Sequence, residues 1–275
     1  MKVIFEDDSL LVIDKPAGLV VGKSETQFAE TLEDLLDSLP TFSRGPLGND
    51  IVRNGIVHRL DKDTSGVIVV AKTKTALESL QAQFKERKTK KEYLALVHGL
   101  VESAGVVEAA IARNPLNREK FTAVPPGRSQ SPPSRWPNGL LEGAREAVTE
   151  YEPVERLQVT GDRLQKIFSD FNKIQLRKLS TIHYNLFTLL VVRPKTGRTH
   201  QIRVHLKYIG YPIVTDEKYV GRRMYRLDKR WCPRQFLHAK SLSFYHPVTG
   251  EWVEFEAPLP QDLREGLEEL EGRDG

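Results

Sequence analysis

Chemistry needs reactive groups held close together, and two short segments of this chain concentrate them. The first, His58-Arg59-Leu60-Asp61-Lys62-Asp63-Thr64-Ser65-Gly66, sets a carboxylate among basic and hydroxyl residues just before the β-branched run Val67 to Ala71. Loops at strand ends are where a scaffold displays reactive groups. The same residue types also build ordinary turns, so composition alone leaves both readings open. The second, Arg193-Pro194-Lys195-Thr196-Gly197-Arg198-Thr199-His200-Gln201-Ile202-Arg203-Val204-His205, is dense in cations and in amide or hydroxyl donors. A buried arginine from it could hold Asp61 ionised, since a guanidinium stays charged and grips a carboxylate in two places. A salt-laced surface hairpin is the competing reading. His58, His200 and His205 fit no common zinc spacing and have no cysteine to assist, so no metal is expected.

The elements that must position these segments are legible from periodicity. Val3 to Phe5 and Leu10 to Ile13 read as a strand pair around an Asp7-Asp8-Ser9 turn, and Val67 to Ala71 as a buried strand. Residues 31–39, capped by Thr31, and residues 74–86 read as helices, with Tyr93 to Val97 and Val106 to Ile111 as further strands. Strands near 146–153 and 186–193 bracket an insert, 158–184, in which Leu164, Ile167, Phe168, Phe171, Ile174 and Leu179 predict one amphipathic helix behind an Asp162 cap. A helix is expected to start near Thr199 or Gln201, and a last hairpin to span Leu242 to Phe255. Residues 124–139 hold five prolines and read as an exposed loop. Strands outnumber helices without alternating with them, which predicts an α+β fold with a mixed, largely antiparallel central sheet flanked by helices and loops.

Bulk properties narrow the field. The chain has 275 residues and a net charge of +4. No apolar run approaches the ~18 residues of a membrane helix. The acidic N-terminus does not look like a secretory signal, and the single cysteine, Cys232, excludes an intrachain disulfide framework; a cytoplasmic protein is expected. Cations gather around Lys85–Lys91, along Arg193–Lys207 and between Lys218 and Arg234, which favours a polyanion partner over three separate solvated faces.

Together these segments resemble the RluA family of pseudouridine synthases. Residues 58–66 resemble its H-R-L-D-x-x-T-S-G motif with every fixed position present, and residues 197–205 its G-R-T-H-Q-I-R-V-H motif. Lys91-Glu92-Tyr93 resembles the K-x-Y element, Ile13-Asp14-Lys15-Pro16-Ala17-Gly18 the usual opening, and Leu237-His238-Ala239 with His246-Pro247 the closing hairpin. The resemblance runs in order from about residue 3 to 260. It implies the pseudouridine synthase catalytic fold in a single catalytic domain, 1–275, with two sub-lobes around a central cleft and no N-terminal S4 domain. It implies Asp61 as catalytic nucleophile, Tyr93 as an aromatic over the target base and a candidate proton acceptor, and Arg203 as partner of the catalytic carboxylate. His58, Arg59, Thr64, Arg198, Thr199, His200, Gln201 and Ile202 are the implied RNA-binding residues, with Arg59 a candidate to insert into the stack. No cofactor, metal or nucleotide is implied, because the isomerisation has no redox change.

The implied substrate is uridine in a structured RNA, first of all large-subunit ribosomal RNA. A tRNA, or an inactive RNA-binding role in ribosome assembly, is the alternative. A hydrolase using Asp61 with His58 would lack any recognisable Ser or Cys nucleophile setting. A monomer is expected, since no exposed apolar seam is evident apart from the insert. One departure concerns the family's G-x-P-I-x-G-D element: in Gly210-Tyr211-Pro212-Ile213-Val214-Thr215-Asp216, threonine stands where glycine is usual. The inserts at 124–139 and 158–184 also depart from the pattern.

Overall fold

Strands with apolar residues buried on both faces need a cover on each, and the sequence supplies one helix for each. In the computed structural model, which describes residues 1–22, 30–38, 55–125 and 143–272, β2 (Leu10–Lys15) and β3 (Ser65–Ala71) pair antiparallel, Leu10 opposite Ala71 and Lys15 opposite Gly66. Side chains alternate across a strand. Leu10, Val12, Val67 and Val69 therefore pack with Ala76, Leu77 and Leu80 of α2 (Lys74–Lys85) on one face. On the other, Leu11, Ile13, Ile68 and Val70 pack with Leu32 and Leu36 of α1 (Leu32–Ser38). Thr73 caps α2 by accepting the Ala76 N–H.

The described residues form two compact units. The first contains Met1–Glu92 and His238–Leu259, the second Tyr93–Leu237 and Pro260–Gly275. In the first, β1 (Lys2–Glu6) pairs antiparallel with β2, while β10 (Leu237–Tyr245) runs parallel to β3 and antiparallel to β11 (Trp252–Glu256). The β1–β2 turn is set by Asp7, whose Oδ1 accepts from the Ser9 and Leu10 N–H groups at 2.8 Å each.

In the second unit β4 (Lys90–His98), which begins in the first, pairs antiparallel with β9 (Leu186–Pro194), β9 with β8 (Val148–Gln158), and β8 with β5 (Gly105–Glu108). A separate hairpin joins β6 (Ala110–Arg113) to β7 (Phe121–Val124). The expectation of a mixed, largely antiparallel sheet is met, with β3–β10 the parallel exception among the described pairs.

Several boundaries differ from expectation. The insert is two helices, α3 (Gly161–Ile167) and α4 (Lys173–Thr181). Thr160, not Asp162, caps the first, and Asn172 with Gln175 forms a capping box on the second. The apolar spacing runs on through the break because Phe168 and Phe171 stay packed, 5.0 Å apart, after the helix stops. Val106 to Ile111 is split between two sheets, and Val124, read as loop, ends β7. Two helices were not expected, α6 (Arg222–Asp228) and α7 (Gln261–Glu271); α5 (Gln201–Tyr208) begins where the sequence placed it. Nearly all of the proline-rich stretch 124–139 lies outside the described residues.

Candidate active site

The segment 55–66 is held at both ends by backbone contacts that only glycine permits. Gly55 has φ of 75°, and a Cβ on it would lie 1.9 Å from the Ala71 carbonyl oxygen. Gly66 has φ of 117°, and its Cβ would lie 2.1 Å from the Ala239 oxygen. Between them Asp61 starts a turn, its carbonyl accepting the Thr64 N–H at 3.1 Å; its side chain is half-buried.

Lys15 explains why the opening motif matters to this loop. It is fully buried, and its ammonium donates to the carbonyls of Pro16, Leu19 and Lys62 at 2.7, 2.9 and 3.1 Å. The Gly18 N–H donates to the same Lys62 carbonyl at 2.9 Å. The backbone next to the Asp61 carboxylate is thereby tied to the start of the chain.

His58 faces inward. Its Nε2 accepts the Val69 N–H at 3.1 Å and its ring stacks on Phe84 at 4.8 Å. Burial, with the Lys91 charge nearby, pushes it down to about 3, so the ring is neutral at physiological pH and pins the loop to β3. Burial also lowers Lys91 to about 8. Thr64 is buried, whereas Arg59 is exposed. Ser65 shares a 3.0 Å hydrogen bond with His238 Nδ1. His238 Nε2 donates to the Ala257 carbonyl, so in the neutral ring Nδ1 accepts and the serine hydroxyl is the donor.

Tyr93, on β4 opposite Val192, is half-buried. The second motif turns into α5 through His200, which has φ of 55°. Gln201 is framework: buried, it accepts from the Thr196 hydroxyl and the Arg198 N–H at 2.7 and 2.9 Å and donates to Val148 O and Thr149 Oγ1. Ile202 is likewise buried, Thr199 is exposed, and Arg198 donates through Nε to the Glu146 carbonyl. Both ring nitrogens of His205 are engaged, by Thr149 and by the Ala109 carbonyl. His200 Nδ1 lies 2.8 Å from the Tyr219 hydroxyl.

Arg203 is buried and gripped by a residue that sequence reasoning passed over. Its Nε and Nη2 donate to Asp216 Oδ2 and Oδ1 at 2.7 and 2.8 Å, and its guanidinium lies 5.1 Å from the Tyr219 ring. The expected partner was Asp61; the carboxylate found on these two nitrogens is Asp216. A guanidinium carries five N–H donors, and Asp216 takes two. The signal was present in the Gly210–Asp216 element, whose aspartate was quoted for its turn and not for its charge.

Residues 9–208 match the family described as RNA pseudouridylate synthase. A Bacillus subtilis protein described as the uncharacterized RNA pseudouridine synthase YlyB is 36% identical over 271 residues, covering 98% of this chain and 73% of that one.

The chain belongs to the RNA pseudouridylate synthase family.

The RluA-family resemblance is thus supported, and the chain is an RNA pseudouridine synthase, an isomerase. Proteins of Pseudomonas aeruginosa and Nitrosomonas europaea, each described as ribosomal large subunit pseudouridine synthase D, are 36% and 38% identical over 96% of this chain. This chain spans 69% and 63% of their lengths. The solved structure of human RNA pseudouridylate synthase domain containing 4 is similar with a TM-score of 0.67 and 26% identity, covering 98% of this chain and 93% of that one. Within this family the two motif segments acquire their meaning: one presents a carboxylate on a tethered loop, the other a guanidinium on a buried helix.

Proposed function

We propose that this enzyme converts specific uridines of large-subunit ribosomal RNA to pseudouridine, in the cytoplasm and as a monomer, with Asp61 as nucleophile. The reaction breaks the N1–C1′ bond, turns the uracil and forms C5–C1′; the proton lost from C5 is balanced by one gained at N1. A carboxylate can carry the intermediate covalently and divide one difficult step into easier ones. In this reading Arg203 is the counter-charge that keeps Asp61 ionised where water is excluded. Tyr93 stacks on the extruded uracil, a contact worth roughly 1–3 kcal/mol, and accepts the C5 proton. Arg59 fills the space the base leaves. Flipping costs a few kcal/mol and is easiest in loops, which favours unpaired nucleotides as targets.

The observation that supports the reading best is the double tether of the Asp61 loop, by Lys15 on Lys62 O and by His58 on Val69 N–H, which spends a buried cation and a neutral imidazole on fixing one short turn. The large-subunit target is supported by the names of the relatives. An RNA partner is supported by α6, where Arg222, Arg223 and Arg226 are all exposed.

Incubation with large-subunit RNA tritiated at uridine C5 tests the chemistry. We expect release into water from the unmodified protein and at least a ~1,000-fold slower release from Asp61→Asn; comparable release from both would remove Asp61 from the mechanism. Pseudouridine maps of ribosomal RNA and tRNA from cells with and without the gene test the target. Sites missing only from tRNA would reassign the substrate.

A further inference from the structure

The turn that carries Asp216 passes through a residue in a conformation its type resists. Thr215 has φ of 55°, and a β-branched side chain in the left-handed region needs its surroundings to hold it there. Two buried groups do so. Asp228 accepts the Thr215 N–H on Oδ2 at 2.9 Å, and the Thr215 hydroxyl donates to the Cys232 carbonyl at 3.2 Å.

Asp228 is itself fixed from several elements at once. It ends α6 and is fully buried. Its Oδ2 lies 3.0 Å from His98 Nε2, at the end of β4. Its Oδ1 accepts the Tyr184 hydroxyl at 2.8 Å, and that hydroxyl accepts the Trp231 indole N–H at 3.0 Å. Tyr184 closes the 158–184 insert. Among the described residues, His98 Nδ1 is buried with no hydrogen-bond partner. Leaving an N–H unmade there would be costlier than leaving a lone pair, so the ring proton belongs on Nε2, donated to Asp228.

The next residue along the chain takes up the consequence. Asp216 grips Arg203 through both oxygens, and its Oδ1 also accepts the Lys218 and Tyr219 N–H groups at 3.1 and 3.2 Å. Tyr219 in turn meets His200. The direction of Asp216, and through it the aim of Arg203 and His200, is therefore set at Thr215.

We propose that Asp228 is a positioning residue for the isomerisation: it holds Thr215 in the left-handed turn from which Asp216 aims Arg203. This rests on the reading of Arg203 as the counter-charge in catalysis. It also gives the insert a task, since Tyr184 brings the insert's end onto the same carboxylate. A carboxylate that merely filled the interior would not depend on the residue type at 215. This one does, because glycine adopts that φ unaided.

The test uses the full chain in four forms: wild type, Asp228→Ala, Thr215→Gly and the double variant. For tritium release, Asp228→Ala is expected to lower kcat by about 10–100-fold with KM for RNA within about threefold, and Thr215→Gly to stay near wild type. Adding Thr215→Gly to Asp228→Ala is expected to bring kcat back to within about fivefold of wild type. A loss that the glycine does not repair overturns the proposal, as does wild-type kcat in folded Asp228→Ala. Should alanine prevent folding, Asp228→Asn keeps the shape and one acceptor oxygen. A smaller loss with the same repair is then expected, and the same two failures count against the idea.

A readout independent of turnover is the Arg203 Nε–H resonance, assigned by its disappearance in Arg203→Lys. It should be sharp and slow to exchange in wild type, lost in Asp228→Ala and recovered in the double variant. That pattern without tritium release from any protein would support the positioning role while refuting the catalytic reading. A resonance unmoved by Asp228→Ala refutes the positioning role.

Discussion

The loop that carries Asp61 and the helix that carries Arg203 are both anchored by buried polar groups, but the anchors differ in kind. Around Asp61 they act on backbone: the Lys15 ammonium on three carbonyls, the neutral His58 ring on one N–H, and two glycines where the chain passes against Ala71 and Ala239. Around Arg203 they act on side chains and charge: a two-point ion pair to Asp216, a ring contact with Tyr219, and left-handed turns at His200 and Thr215 that no glycine relieves. Backbone anchoring fixes the place from which the loop presents its carboxylate. Side-chain anchoring commits the guanidinium, and makes its aim depend on every charge around it.

The largest expected effect breaks the ionic side. Asp216→Ala leaves the Arg203 guanidinium buried without the carboxylate that grips it, which should cost about 3–5 kcal/mol in urea unfolding. A cost below about 1 kcal/mol would show that the pair is dispensable to the fold.

Next comes the backbone side. In Gly66→Ala the added methyl meets the Ala239 carbonyl and the residue must hold φ of 117°, so about 2–3 kcal/mol of stability should be lost. Thr215→Gly provides the contrast, being nearly neutral; equal losses at the two positions would erase the distinction.

The smallest effect is a pH dependence. His58 sits at about 3 when folded against an ordinary 6.5, so on acidification the unfolded chain takes up the proton first. Its contribution is intact above about pH 6.5 and is lost steadily from there down to about 3. Between pH 7 and 5 this amounts to about 2 kcal/mol. His58→Gln, whose amide oxygen can still accept the Val69 N–H, should lack that part of the slope in urea titrations at the two pH values. Parallel slopes for the two proteins would argue against a neutral, inward His58.

Much of this was legible in the sequence because the relevant signals are local. The unbroken apolar runs Leu10 to Ile13 and Val67 to Ala71 read as strands, the second as a buried one, and the order of the two motifs gave the family. What was missed depends on partners distant in sequence or hidden by composition. Asp216 lies thirteen residues from Arg203 across a turn, and the Gly210–Asp216 element shows that an aspartate stands there but not which cation it meets. Asp228 gathers His98, Tyr184 and Thr215 from three places that periodicity treats separately. The helix α7 was not expected, although Leu263, Gly266 and Leu270 mark a buried stripe beneath its glutamates. The short α6 shows little apolar face among its arginines.

The paired glycines at 55 and 66 carry one more implication. Because each end of the Asp61 segment presses directly on a neighbouring carbonyl, the stretch between them behaves as a cartridge of fixed length: side chains inside it can be exchanged, but a residue cannot be added or removed without moving one of its two seats. Variation among enzymes built this way should therefore appear there as substitutions, while gains and losses of chain collect elsewhere.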